Sequence, residues 1–300
     1  MKLIAILLVI ATEEKWKTFR SLRPFEALIE FANRMRARFG QHAWFNGPAG
    51  VLLTVAPAVV VTALIQFALD AAVGVIAWLV ALVFSIVVLI ACIGRRSVDE
   101  EIGAYQSAIE RKDGEAAYLQ MHELLPGDQP QNVIELHQRV LEMILLRNHE
   151  RLLAVLFWFV VLGPLGAVFY RATTQLKTLM YSDHAFESTY VASVLRLQAL
   201  LDWVPVRITA LCHALVGSFA DAVQQWRIAA ASTIDIYDAN RAVLIGSGLG
   251  SLRLQDESAV GGEDPETFSH TLAETRALVY RTVVLWVTAF AALTIVGWLS

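Results

Sequence analysis

An all-α, polytopic helical integral membrane protein is the fold class this sequence predicts, on three observations. Hydrophobic residues make up 56% of the 300 and charged residues only 17%, where soluble domains carry about one-quarter; mean hydropathy is +0.53. Apolar runs recur at 51–69, 71–93, 152–169 and 283–300, each near the ~20 residues that cross a bilayer as a helix. Between them, apolar residues return at the spacing of amphipathic helices. The expectation is about four main transmembrane helices, a short N-terminal hydrophobic segment and amphipathic helices, in a single membrane domain over residues 1–300.

Net charge is −4, which speaks against a nucleic-acid partner. The two cysteines, Cys92 and Cys212, sit inside apolar runs without CxxC or Cys/His spacing. They read as buried reduced thiols rather than zinc ligands, and no metal or cofactor is expected.

Taken in order, residues 3–11 are an apolar run behind one lysine. The charged start is thin for a cleaved signal peptide, so a retained, short or re-entrant segment is expected. Residues 12–50 carry Lys15, Lys17, Arg20, Arg23, Arg34, Arg36 and Arg38, with Phe19, Leu22, Phe25, Leu28 and Ile29 at helical spacing. This segment either lies on an anionic membrane face or is a solvated helix packed on the rest of the protein. The runs 51–69 and 71–93 form a hairpin with Asp70 between them. No Lys or Arg interrupts it, while seven precede it (12–50) and seven follow it (94–151). The positive-inside rule puts both flanks in the cytoplasm and Asp70 outside.

Residues 94–151 read as a polar helical insert on the cytoplasmic side. Ser97-Val98-Asp99-Glu100 has capping-box form, and Ile102, Tyr105 and Ile109 then share a face. Asp113-Gly114 breaks the helix, Tyr118, Met121 and Leu125 mark a second, and the break at 126–130 precedes a third on Val133, Leu136, Val140 and Ile144. The run 152–169 is interrupted by Gly163-Pro164 and Gly166. It crosses as a kinked helix or dips in and returns; either way the freed backbone groups need cover. Residues 170–280 form a mixed amphipathic region. Leu176 and Met180 share a helical face, Ser182-Asp183-His184 breaks it, and Tyr190, Val194, Leu197 and Leu201 mark the next helix. That helix runs into residues 200–217, a polar-tipped hydrophobic stretch at the membrane boundary, which Asp202 is expected to cap with Pro205 in its first turn. Gly246–Gly250 reads as a glycine-rich turn; it lacks the Gly-Lys-Ser/Thr of a phosphate loop. Ser258–Glu266 reads as a surface loop.

No nucleophile motif, paired-carboxylate pattern or metal helix appears. Glu150, just before the third strong apolar run, is either a charged boundary or an acid beside a pocket mouth. Arg207 lies in an apolar helix, where a charge is costly unless paired. Asp202, five residues back, is about 140° away at helical pitch, which leaves Glu150 or Asp183 as partners for Arg207.

Asp202-Trp203-Val204-Pro205-Val206-Arg207, with Gly163-Pro164-Leu165-Gly166-Ala167-Val168-Phe169-Tyr170-Arg171 before it, resembles the CobD/CbiB superfamily of membrane-bound adenosylcobinamide-phosphate synthases. Residues 246–254 fall where that pattern has a Gly-rich segment. Leu152-Leu153 stands where the synthases carry Asp-Gly, Thr173-Thr174-Gln175-Leu176 where they carry an Asn-Thr-x-Asp-like run, and the expected N-terminal His-Pro pair is absent. The AmpE branch is more similar: it shares Leu-Asp-Trp-Val-Pro-Val-Arg, the Ala-Leu-Val-Gly after it, and a tryptophan corresponding to Trp226. The resemblance covers nearly the whole chain. It implies a multi-pass protein of the bacterial inner membrane, linked to β-lactamase induction and cell-wall recycling, regulatory or sensory and without catalysis. The alternative is a synthase-class enzyme with a changed substrate; a third is a transporter or lipid-binding protein. Candidate ligand-binding residues are Glu150, Tyr170, Arg171, Asp202, Trp203, Arg207 and Asn240, with no catalytic residue assigned. Expected partners are membrane lipids and a cell-wall-derived small ligand or regulatory membrane protein.

Overall fold

The computed structural model describes residues 2–12, 25–93, 98–111, 113–116, 119–120, 132–182, 186–254 and 265–295. The expected second helix of the insert, the capping serine Ser97, the basic residues 15–23, Asp183 and most of the 258–266 loop lie outside them. Every regular element among the described residues is a helix. They are α1 (Lys2–Thr12), α2 (Glu26–Phe39), α3 (Pro48–Ala71), α4 (Val75–Ile93), α5 (Val98–Glu110), α6 (Val133–Asn148), a π turn (His149–Leu153), α7 (Ala154–Leu162), α8 (Pro164–Ser182), α9 (Ser188–Val216), α10 (Phe219–Ser232), α11 (Ile236–Ser251) and α12 (Pro265–Ile295). By internal packing the chain divides into two units. The first is Met1–Arg95, Arg151–Trp203 and Ala289–Ser300, and the second is Arg96–Glu150 and Val204–Thr288.

Four helices among the described residues are long and apolar enough to cross a membrane: Pro48–Ala71, Val75–Ile93, Ser188–Val216 and Glu266–Thr294. The chain is an all-α multi-pass membrane protein. The number matches the sequence expectation, but the third member differs. The run 152–169 does not make one helix. Gly163, at φ +72°, ends α7 after 9 residues, about 14 Å at helical rise. Residues 188–216 instead form a single helix of 29 residues. Asp202 therefore lies in mid-helix and caps nothing. The described part of the last apolar run, 283–295, is the C-terminal part of α12, whose 31 residues begin at Pro265. The hairpin turn is Ala72–Gly74, with Gly74 at φ +116°, and Asp70 belongs to the last turn of α3.

In the first unit, α2, α3, α8 and α9 share a core of Leu28, Ala32, Phe45, Val51, Val55, Leu176, Met180, Tyr190 and Val194. Tyr190 stacks on Phe45 with ring centroids 5.4 Å apart and donates its hydroxyl to Thr54 Oγ1 at 3.0 Å. The break between α7 and α8 is covered by side chains from other helices. Gln66 of α3 accepts from the Leu165 backbone N–H at 3.1 Å and its amide nitrogen lies 3.4 Å from the Leu162 carbonyl. Lys2 donates to the Val160 carbonyl at 2.9 Å. These are the orphan groups that two helix ends create and lipid cannot satisfy. Pro205, which lacks an N–H, removes the helical donor to the Leu201 carbonyl; the Trp158 indole N–H donates there instead, at 3.1 Å.

In the second unit, Ile102, Tyr105, Leu136, Val140, Ile144, Phe268 and Leu272 form one core, as the face spacing of the insert predicts. His137 stacks on Phe268 at 3.7 Å between centroids. The expected glycine turn at 246–250 is helix. A Cβ on Gly250 would meet the Asp221 carbonyl oxygen at 2.9 Å, and one on Gly248 the Leu145 side chain at 2.5 Å. These glycines let α10 and α6 approach α11 closely, the small-residue packing of membrane helices. The sequence signal for a turn and for such a seam is the same, which is why the turn reading fails.

Candidate functional site

In the first unit, α8 and α9 each present an i, i+4 polar pair to the other, Tyr170 and Thr174 opposite Gln198 and Asp202. All four are buried. Tyr170 donates its hydroxyl to Asp202 Oδ1 at 2.7 Å. Gln198 Nε2 lies 2.8 Å from Asp202 Oδ2 and 3.1 Å from the Tyr170 oxygen, so each oxygen of the carboxylate has a donor. The Thr174 hydroxyl lies 3.0 Å from the Tyr170 carbonyl and 3.3 Å from Gln198 Oε1. A buried acid inside a membrane-length helix is costly unless so supported, and such residues mark functional positions in membrane proteins.

In the second unit, Arg207 of α9 donates from Nη1 to Asn240 Oδ1 of α11 at 3.1 Å. Asn240 is buried and Arg207 half-buried. Asn240 is thus one partner of Arg207, and Asp183, one of the two acids the sequence reading offered, lies outside the described residues. Beside this pair runs a buried hydroxyl–imidazole ladder. The Thr209 hydroxyl donates to the Pro205 carbonyl at 2.9 Å and lies 3.2 Å from His149 Nδ1. The Ser247 hydroxyl donates to the Leu244 carbonyl at 3.1 Å and lies 3.2 Å from His213 Nδ1. In both contacts the ring tautomer decides which group donates.

The other candidates fall nearby in sequence. With its amide oxygen turned toward Arg171, Gln175 accepts from Nε at 3.1 Å and Nη2 at 2.9 Å. Trp203 is exposed and Glu150 half-buried in the π turn. Sequence reasoning named Tyr170, Asp202, Arg207 and Asn240 but missed Gln198, Thr174, His149 and His213. The i, i+4 spacing of 170/174, 198/202 and 209/213 is the signal that finds part of this set. Among the described residues no group of three or more His, Cys, Asp or Glu comes together as a metal would need.

Outside the spans, burial raises the Glu142 carboxyl above its ordinary value, against a hydrogen bond from Gln138 that lowers it. Asp221 is held below the usual carboxylate range, first by the Ser218 hydroxyl and then by Arg253.

A model of the family described as "Regulatory signalling modulator protein AmpE" matches residues 1–299. The cobalamin biosynthesis protein CobD of Stutzerimonas stutzeri (strain A1501) is 30% identical over 234 residues, 75% of this chain and 73% of the relative. Protein AmpE of Shigella flexneri is 27% identical over 215 residues, 67% of this chain and 72% of that protein. The CobD of Chromobacterium violaceum is 25% identical over 175 residues, 58% of this chain and 55% of that protein. No solved structure matches the chain.

Proposed function

The chain belongs to the AmpE family, and from that premise we propose that it is a regulatory protein of the bacterial inner membrane, without catalysis, acting in the control of β-lactamase induction and cell-wall recycling. The match of the family model to residues 1–299 carries this reading. A local observation supports it. Leu152 and Leu153, standing where the synthases have an acid and a glycine, are buried core residues, and the Thr173 hydroxyl is turned to the Phe169 carbonyl of its own helix. Each pair is proposed separately as a ligand contact, Tyr170–Asp202 in the first unit, with Arg171 and Trp203 beside it in the chain, and Arg207–Asn240 in the second, which also holds Glu150. The ligand is a small cell-wall-derived molecule or a regulatory membrane partner, and the 94–151 insert faces the cytoplasm.

The test is β-lactamase induction in a strain lacking the chain and complemented with wild type, Asp202→Asn or Arg207→Gln. Wild type restores the inducible response and the variants, present at equal level in the membrane, shift it. Unchanged induction in the deletion strain refutes the role. The 30% identity to a CobD over 234 residues favours one second reading, amide-bond formation on a phosphorylated amino-alcohol. ATP-dependent turnover of an amino-alcohol phosphate with a carboxylate donor by the purified chain would establish that reading instead.

A further inference from the structure

The first unit also holds a largely apolar cavity of about 530 Å³, open on one side and lined by α2, α3, α4 and Val168 of α8. Phe31, Ala58, Val61, Val88 and Ala91 line it, and Arg34 stands on its wall. Glu30, Arg34 and Thr62 are its polar members, and its largely apolar wall favours an acyl chain over water.

Two features say what bears that chain. Two of the walls, α3 and α4, are membrane-length helices, so the cavity opens to acyl chains. It lies toward the ends of the hairpin at Pro48 and Ile93: Pro57 is about 14 Å from the start of α3 at helical rise. At that same end α2 carries Arg34 and, one turn on along the same face, Arg38. Arg34 Nη2 contacts Glu30 at 2.7 Å, but both side chains are exposed, 73% and 65%. Such a pair is weak, and the five donors of a guanidinium leave room for a phosphate. We propose that this cavity holds one acyl chain of an anionic phospholipid whose phosphate is bound by Arg34 and Arg38. The basic end and the apolar depth match an amphiphile in that orientation, and the site is independent of the regulatory role proposed above.

The test is photo-crosslinking of the full chain in phosphatidylcholine vesicles doped with phosphatidylglycerol bearing a diazirine on one acyl chain, with adducts mapped by mass spectrometry. Adducts concentrate on the segments around Phe31, Ala58 and Ala91, and unlabelled phosphatidylglycerol displaces the probe better than phosphatidylcholine. Neutralising either arginine, as Arg34→Gln or Arg38→Gln, lowers that preference about fivefold. Ala91→Trp, which fills the cavity, removes the adducts. Adducts spread evenly over the exposed Phe67, Val75 and Ile76 overturn the proposal, as does equal displacement by both lipids, which marks a non-selective groove. Absence of adducts at the cavity also overturns it and points to a protein occupant. The wild-type map and competition need no variant, so a misfolded Ala91→Trp chain leaves the test intact.

Discussion

Replacing Tyr170 by phenylalanine removes one hydroxyl from a fully buried position and should cost about 2 kcal/mol, in the range for a hydrogen bond to a charged group. Interhelical hydrogen bonds in membrane proteins average only about 0.6 kcal/mol, because the partners find others in the unfolded state. The Tyr170 bond should exceed that mean for two reasons. Its acceptor is a carboxylate, 6% exposed, and its oxygen also receives Gln198 Nε2 at 3.1 Å, so the change disturbs two contacts. Gln198→Leu should cost a similar amount, since it takes the donor from Asp202 Oδ2. Both act on one carboxylate, so the double variant should differ from the sum of the singles by about 1 kcal/mol. Placed in the double-variant background, Asp202→Leu should recover part of the loss, because a buried acid that has lost these two donors is worse than an apolar side chain of similar size. The assay is a reversible SDS titration in mixed micelles, followed by far-UV circular dichroism. Singles that each cost under ~0.5 kcal/mol, or that add within ~0.3 kcal/mol, would refute the claim that this cluster acts as one unit.

Three further outcomes are expected. Gln66→Leu should destabilise by about 1–2 kcal/mol through the lost acceptor of the Leu165 N–H, its 3.4 Å contact to Leu162 adding little; the same titration measures it. Gly250→Ala should cost about 1–3 kcal/mol because its Cβ meets backbone at Asp221, whereas Gly248→Ala meets the end of a flexible leucine and should cost less; a reversed order would show that the α10–α11 seam is not backbone-limited. Glu142 has a raised carboxyl pKa in the folded chain, so its ionisation opposes folding as pH rises past the ordinary value of 4.5. Glu142→Gln should therefore raise the melting temperature at pH 7 and leave it unchanged near pH 4; equal shifts at both pH values would contradict this.

The hairpin was legible because α3 and α4 contain no Lys or Arg and α4 no charge of any kind, and nothing but a membrane favours such runs. The insert was legible because Ile102, Tyr105, Leu136 and Val140 repeat at helical spacing and do pack inward. The break in 152–169 was legible at Gly163-Pro164, whereas hydropathy passed over α9 as a membrane-length helix because it averages over side chains and is blind to backbone. Residues 152–169 are more apolar than 188–216, but Gly163 takes a left-handed φ and stops the helix. Asp202 and Gln198 dilute the hydropathy of α9, although they hydrogen-bond inside the protein. The two polar pairs of the candidate site were half legible. Asp202 and Arg207 stand out as charges in an apolar run, whereas Gln198, Thr174 and the two histidines acquire meaning only from partners 24 to 60 residues away.

The patch over the α7–α8 break bears on the order in which the chain is made. Gln66 precedes Leu165 by 99 residues and Lys2 precedes Val160 by 158. At about 5–20 residues per second of synthesis, Gln66 leaves the ribosome several seconds before the broken segment does. The groups that will satisfy the break are therefore already present when it enters the bilayer. A chain permuted so that residues 151–182 emerged first would present three bare backbone groups to lipid with nothing yet made to receive them. The vectorial direction of translation is thus part of what makes a broken helix tolerable in this protein.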